Sequence, residues 1–455
     1  MIRKQWSRSA TYTLARVIVV VALVSSASAE WKEKVLYSFQ GGSDAATPAG
    51  GVAFDNKGNL YGATTDGGSA CPSPGCGTVF QLTPPAKKGE AWTETILYGF
   101  SGNDGSQPAG SVIVDAKGNL YGTTAYGGSG TCILLGSNVG CGIVYELSPP
   151  PQQGGKWTYS AVYNFLGGKD GQYPSGDLVF DGAGNLYGAT VYGGGYGTCN
   201  APYFQFCGTV FELSPPKKKD GNWEEKVLHS FKSGKDGANP NGGLVIDSKG
   251  AIYGTTYAGG DQKCKSDASV GCGTAFEIEP PAKQGGAWTE KAFHHFARSS
   301  SDGGNPSAGL ILDSKHNLYG TTLNGGPGQY GTAFRLAPPS GKSNSWTESI
   351  LYAFNDDRYG GDPTAGLIFD TAGNLYGAAL GGGTHRGVIF RLKAPKHGSS
   401  WPRAILYNFT GSTDGNHPTA SLVFDGTGNL YSTTVWGGTG QSCQGACGTV
   451  FEVEP

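Results

Sequence analysis

Apolar residues in this chain come in short runs, and after the first thirty residues none keeps a helical period. The stretch beginning near Gly242 shows the pattern. Leu244-Val245-Ile246-Asp247 is a brief apolar run, and Ala251 to Thr256 is rich in β-branched and aromatic residues. Gly273 to Ile278 alternates loosely, and a longer run from Trp288 to Phe296 carries Glu290 and Lys291. Gly, Pro, Asn and Asp bound each run, as they bound strands. The pattern predicts four short strands in about 60 residues, here labelled A to D, with the charged fourth run suited to an outer edge.

The same unit recurs through the chain. Asn-Leu-Tyr-Gly begins at Asn59, Asn119, Asn185, Asn317 and Asn374, with variants at Ala251 and Asn429. Its tyrosines are Tyr61, Tyr121, Tyr187, Tyr253, Tyr319, Tyr376 and Tyr431, and Trp31, Trp92, Trp157, Trp223, Trp288, Trp346 and Trp401 keep the same beat. One four-stranded sheet cannot cover both its faces, whereas sheets packed radially can. Seven such units predict an all-β, seven-bladed β-propeller; a β-solenoid, the alternative, favours a shorter and steadier repeat. The first run after residue 30 is of type D and the last run of the chain is of type C. The N-terminal strand is therefore expected to complete the last blade.

Composition refines this picture. The chain has 78 Gly and 25 Pro among 455 residues, and their recurrence in register marks turns rather than disorder. Residues 1–29 carry Arg3, Lys4, Arg8 and Arg16, an apolar stretch from Val17 to Val24, and Ala27-Ser28-Ala29, which together read as a signal peptide. Residues 30–455 are then a single propeller domain, with 29 Lys and Arg against 35 Asp and Glu, a net −6. No basic stripe favours nucleic acid, and no later segment reads as a membrane span.

The ten cysteines form five local pairs, Cys71/Cys76, Cys132/Cys141, Cys199/Cys207, Cys264/Cys272 and Cys443/Cys447, each closing a B–C loop. In an exported chain they read as disulfides. Zinc would prefer companion histidines and fixed spacing. The protein is expected to be secreted or periplasmic, monomeric, and without cofactor or metal.

The run Gly-Asn-Leu-Tyr-Gly-Thr-Thr, then Gly-Gly, then Cys-Gly-Thr-Val-Phe-Glu-Leu-Ser-Pro-Pro resembles the GloVer tandem repeat of "choice-of-anchor" exported bacterial proteins, over essentially all of residues 31–455. The resemblance implies secretion or surface display and brings no activity with it. Such proteins often end in an anchoring segment; this chain ends at Phe451-Glu452-Val453-Glu454-Pro455, and release is expected.

Two carboxylate series repeat. Asp55, Asp115, Asp181, Asp247, Asp313, Asp370 and Asp425 end strand A, and sevenfold repetition argues for turn formation rather than catalysis. Asp104, Asp170, Asp236, Asp302 and Asp414 each precede Gly, with Asp44 a partial copy and Asp356-Asp357-Arg358 standing there in the sixth unit. These read as turn caps, with a ring binding cations or hydroxyl groups as the alternative. His229, His294 and His295 fall on outer strands and read as packing or surface residues, His316 in a turn, and His385 and His417 in loops.

Strand alternation puts the B–C and D–A loops on one face. The residues before each Gly-Gly pair differ between units there: Asp66, Tyr126, Tyr192, Ala258, Asn324 and Trp436. Tyr126, Tyr192, Trp436, His385 and Arg386 are the candidate ligand-binding residues, with plugging of the channel mouth as the competing role for the aromatics. Connectors such as Pro215-Pro216-Lys217-Lys218-Lys219 mark the opposite face. The expected function is non-catalytic binding of a glycan, peptide or surface protein; a polysaccharide lyase or hydrolase is the alternative.

Overall fold

The computed structural model describes residues 31–455 except 49, 153, 196–206, 219–220, 261–263, 265–270, 284, 341–344, 356–359, 382–384 and 444–446. The signal-peptide segment, Cys199, Asp356-Asp357-Arg358 and Lys219 lie outside the described residues. The expected fold is present: seven antiparallel sheets, each of blade type A–B–C–D. In blade one, strand A is two short pieces, Ala45–Pro48 and Ala53–Phe54, followed by Leu60–Gly67, Thr78–Thr83 and Thr93–Gly99. Blades two and three have a continuous strand A, Ser106–Val114 and Gln172–Phe180. The last blade takes its outer strand from the N-terminal end of the ring, since Lys32–Ser38 pairs antiparallel with Thr449–Glu454, Lys32 opposite Glu454. No α-helix occurs among the described residues, and none of their helices is long and apolar enough to cross a membrane.

Packing explains the repeated tetrapeptide. Its glycine faces the aromatic residue of strand C: Gly62 pairs with Phe80, Gly122 with Tyr145, Gly188 with Phe211. A Cβ on Gly62 would lie 2.5 Å from the Phe80 ring. The aromatic ring therefore needs a partner with no side chain. Where the last unit substitutes Ser432, that small side chain is fully buried opposite Phe451.

The strand C ring also receives the phenylalanine that ends strand D of the preceding blade. Phe39–Phe80, Phe100–Tyr145, Phe165–Phe211, Phe231–Phe276, Phe296–Phe334, Phe354–Phe390 and Phe409–Phe451 meet edge to face at 5.1–5.3 Å. Edge-to-face pairs contribute about 0.5–1.5 kcal/mol each beyond the area they bury. Tryptophans starting strand D lean back on the preceding blade's tyrosine, as Trp157 does on Tyr61 at 5.9 Å.

The A–B turns are closed by their aspartates, as expected. Asp55 accepts the backbone N–H of Lys57 and of Asn59 at one oxygen, and Asn59 Nδ2 and the Tyr61 hydroxyl at the other, all at 2.8–3.1 Å. Burial opposes ionisation here, but these hydrogen bonds outweigh it and hold the Asp55 carboxyl below the usual range. Asp181, Asp313, Asp370 and Asp425 are held low in the same way.

The outer seams between blades hold the second series. Asp44 caps the D–A turn by accepting the Gln40 N–H and takes the Tyr37 hydroxyl at 3.2 Å. Asp170 and Asp414 do the same with Leu166 and Tyr163, and with Thr410 and Tyr407. Capping is thus borne out. The charges of strand D are not all edge charges, however. In Glu224–Ser230, Glu224 and Lys226 are exposed, while Glu225 turns inward against the preceding blade's Asp170. Strand alternation sends every second residue into the seam. Burial, then the neighbouring aspartate, pushes Glu94 and Glu225 up to about 7. Glu33 is pushed up to about 7 by burial and then by Asp414, against a hydrogen bond from Tyr407.

Candidate functional site

The chain bends sharply where each D–A loop enters strand A. In all seven blades the residue before a proline has a left-handed backbone: Thr47, Gln107, Tyr173, Asn239, Asn305, Asp362 and His417, with φ between 52° and 61°. That conformation costs a non-glycine residue about 1–2 kcal/mol. Two repeated contacts offset it. The strained residue's N–H donates to the carbonyl of the residue two before strand C of the preceding blade: Cys447, Cys76, Cys141, Cys207, Cys272, Tyr330 or Arg386, at 2.7–2.9 Å. The following proline packs on the next glycine, so that a Cβ on Gly77 would lie 2.5 Å from Pro108 and one on Gly387 2.3 Å from Pro418.

Disulfides therefore stand directly behind this ring. Cys71–Cys76, Cys132–Cys141, Cys264–Cys272 and Cys443–Cys447 are formed with Cα separations of 5.2–5.7 Å, and Cys207 is also disulfide-bonded. In blades five and six, which lack the pair, Tyr330 and Arg386 supply the same carbonyl. The bonds join B–C to D–A loops and place both on one face, as strand alternation requires.

In six of the seven blades the left-handed residue is accompanied by one at the end of strand B: Asp66 lies beside the Thr47 position, Tyr126 pairs with Ser106, Tyr192 with Gln172, Ala258 with Ala238, Asn324 with Gly304, and Trp436 with Asn416. The backbone is constant and the side chains are not. Two aromatic groups result. Tyr173 meets Tyr126 of the preceding blade at 5.2 Å and Tyr192 of its own at 5.6 Å. Trp436, 43% exposed, meets His417 edge to face at 4.7 Å. Burial and then the Arg386 charge depress the His417 pKa, so this imidazole is neutral near pH 7. The first group spans blades two and three and the second lies on blade seven, so blade one separates them on one side and blades four to six on the other. Between them, Asn239 and Asn305 are nearly buried and donate to the carbonyls of Val191 and Tyr257. Gln107 is exposed.

Of the candidate residues, the structure thus unites Tyr126 with Tyr192 through Tyr173, and Trp436 with Arg386 through His417. His385 lies next to Arg386 in the B–C loop of blade six and also has a left-handed backbone, φ 64°. Tyr173 and His417 as connecting residues were missed. The signal was the proline following each of the seven positions, the one feature common to them.

A few residues further along each strand A, the chain forms a collar around a cavity of about 160 Å³. Its walls are Gly50, Gly110, Gly176, Gly242, Ala308 and their neighbours, with Asp177 as the charged residue among them. A Cβ on Gly50 would lie 2.3 Å from Gly110, and one on Gly242 2.3 Å from Ala308. Ser111 donates its backbone N–H to Asp177 Oδ1 at 2.6 Å, and its hydroxyl accepts from Gly51 at 2.9 Å. The collar is narrow, with neighbouring blades in close backbone contact.

A family model described as the Gloeobacter/Verrucomicrobia repeat matches residues 21–263 and 132–357. No curated protein matches. Among solved structures, the chain is similar to the PQQ-bound form of aldose sugar dehydrogenase from Streptomyces coelicolor, at 12% identity and TM-score 0.41 over 94% of this chain and 98% of that one. It is also similar to the calcium structure of a carbohydrate-active enzyme of family AA12 from Trichoderma reesei, at 11% identity and TM-score 0.43 over 94% and 96%.

Proposed function

The chain belongs to the Gloeobacter/Verrucomicrobia repeat family, and we propose that this member is an exported propeller that binds a glycan across the mouth of its disulfide-bearing face. The carrying observation is a pair of positions whose backbone is repeated from blade to blade and whose side chains are not, supplying two separate aromatic platforms on the ring. Aromatic rings stack on the apolar faces of sugars, and polar neighbours such as Gln107 and Asn324 suit hydroxyl groups. A chain-like ligand could rest on both platforms at once. Disulfides in four described loops fit an extracellular or periplasmic setting.

A glycan array would identify the ligand class. Tyr192→Ala and Trp436→Ala are then expected to weaken binding about tenfold each, or about 1.4 kcal/mol, at unchanged melting temperature. Lys218→Ala, on the opposite face, is expected to change nothing. Equal affinity of all three for the best array ligand would overturn the reading. Shortening of the oligosaccharide during incubation would replace it with the polysaccharide-active enzyme.

A further inference from the structure

The outer seams repeat one arrangement: an aromatic residue near the end of strand D, the aspartate of the following turn, and a glutamate from strand D of the next blade. At four seams the aromatic residue is tyrosine and its hydroxyl donates to the aspartate: Tyr37 to Asp44, Tyr98 to Asp104, Tyr163 to Asp170 and Tyr407 to Asp414. Glu94, Glu225 and Glu33 face Asp44, Asp170 and Asp414, while Tyr159 faces Asp104. Two consecutive seams depart from this. His229 and His294 stand where tyrosine stands elsewhere, on strands Glu224–Ser230 and Thr289–His295.

The substitution changes what the seam can hold. A tyrosine hydroxyl brings its own proton to the aspartate. A neutral imidazole presents a nitrogen lone pair towards two carboxylates. His294, Asp302 and Glu348 each offer one ligand atom, all within 4.8 Å of one another, and so do His229, Asp236 and Glu290. His294 Nε2 and Asp302 Oδ1 are 3.5 Å apart. Both atoms are buried without a hydrogen-bond partner, and so is Glu348 Oε1. At the other seam, His229 Nε2 lies 3.1 Å from Asp236 Oδ1 and 4.0 Å from a Glu290 oxygen. The Glu290 side chain is only 9% exposed, and its Oε1 has no hydrogen-bond partner. A glutamate Oε1 is without a partner at the tyrosine seams as well, in Glu33, Glu94 and Glu225. What distinguishes the two histidine seams is an imidazole nitrogen converging with both carboxylates, and in His294 that nitrogen is itself without a partner.

We propose that the seams between blades three and four and between blades four and five each bind a divalent transition-metal ion, through His229, Asp236 and Glu290 and through His294, Asp302 and Glu348. One imidazole and two carboxylates select zinc, manganese or cobalt over calcium or magnesium. Ligands about 2.0–2.1 Å from a tetrahedral ion stand roughly 3.3 Å apart; the histidine–aspartate separations of 3.1 and 3.5 Å are close to this, and Glu290, at 4.0 Å from His229, would move inward on binding. The second oxygens of the aspartates are already held, Asp236 by the Lys232 N–H and Asp302 by the Ala297 N–H, both at 2.6–2.8 Å. Those bonds orient the first oxygens into the site. Each ion would join two blades across the seam beside the D–A turn.

The test uses the mature disulfide-bonded protein, stripped with chelator and titrated calorimetrically with Zn²⁺ alone, and separately with Co²⁺ read by its visible absorption. His229→Tyr and His294→Tyr restore the arrangement of the other seams and are expected to fold. Two ions are expected for the natural protein, one for each single variant and none for the double variant, with loss of the cobalt bands. No binding to the natural protein, or full binding by the double variant, would overturn both sites. A single substitution that leaves the stoichiometry unchanged would overturn the site at that seam.

Discussion

The A–B turns and the left-handed entries to strand A are both repeated seven times, yet they differ in what is repeated. At the A–B turn the side chain is part of the structure. Asp55 spends both oxygens on closing the turn, and even Asp247, which uses one, accepts two backbone N–H groups there, so aspartate recurs at every copy. At the left-handed entry what is repeated is backbone, an N–H bonded to the neighbouring blade and a proline packed on a glycine, and the side-chain bonds of Asn239 and Asn305 to the carbonyls of Val191 and Tyr257 belong to those two blades. The side chain there is Thr, Gln, Tyr, Asn, Asp or His. A scaffold that asks nothing of a side chain leaves it available for a ligand, even at a strained backbone position.

The scaffold half of this contrast should break most completely at its joint. Removing Lys32–Ser38 leaves the Thr449–Glu454 edge unpaired and the ring open. Calorimetry is expected to show no cooperative melting, and a normal transition would show that closure is dispensable. A smaller loss is expected for Asp181→Ala, which removes the acceptor of four hydrogen bonds. About 2–3 kcal/mol should disappear from the denaturation free energy, with glycan affinity unchanged.

Proton linkage separates turn from seam. The turn aspartates are held low, so their contribution is present above the unfolded pKa near 4 and lost as pH falls through the lower folded values. The seam glutamates Glu33, Glu94 and Glu225 are raised to about 7, so their contribution is present below about 4.5 and lost as pH rises towards 7. Melting temperature should therefore decline between pH 5 and pH 8, and the triple variant Glu33→Gln, Glu94→Gln, Glu225→Gln should flatten that decline. An equally steep decline in the triple variant would move its cause elsewhere. The smallest effect belongs to Gln107→Gly. Glycine accepts φ 52° without strain but loses more entropy on folding, so stability should rise by no more than about 1 kcal/mol. A marked loss would mean that the Gln107 side chain is structural.

The blade count, closure by the N-terminal strand, the local disulfides among described residues and the turn aspartates were legible because each leaves a mark repeated at fixed spacing. The left-handed entries were not, because Thr, Gln and Tyr carry no preference for that conformation, and only the following proline betrays it. The seam glutamates were read as edge charges, since their partners lie on another blade more than 40 residues away in the chain. His229 and His294, taken as packing residues, acquire chemistry only once Asp236 and Glu290, or Asp302 and Glu348, are seen to converge on them.

The contrast between turn and entry is tested most directly by one paired titration. The best array glycan is titrated calorimetrically into Tyr173→Ala and, alongside it, into Asp181→Ala. Tyr173 joins Tyr126 and Tyr192 into one platform, so its loss should weaken binding about tenfold, about 1.4 kcal/mol, while Asp181→Ala binds as the natural protein does despite its lower stability. Undiminished affinity in Tyr173→Ala, or a loss confined to Asp181→Ala, would contradict the placement of the binding site at the left-handed ring.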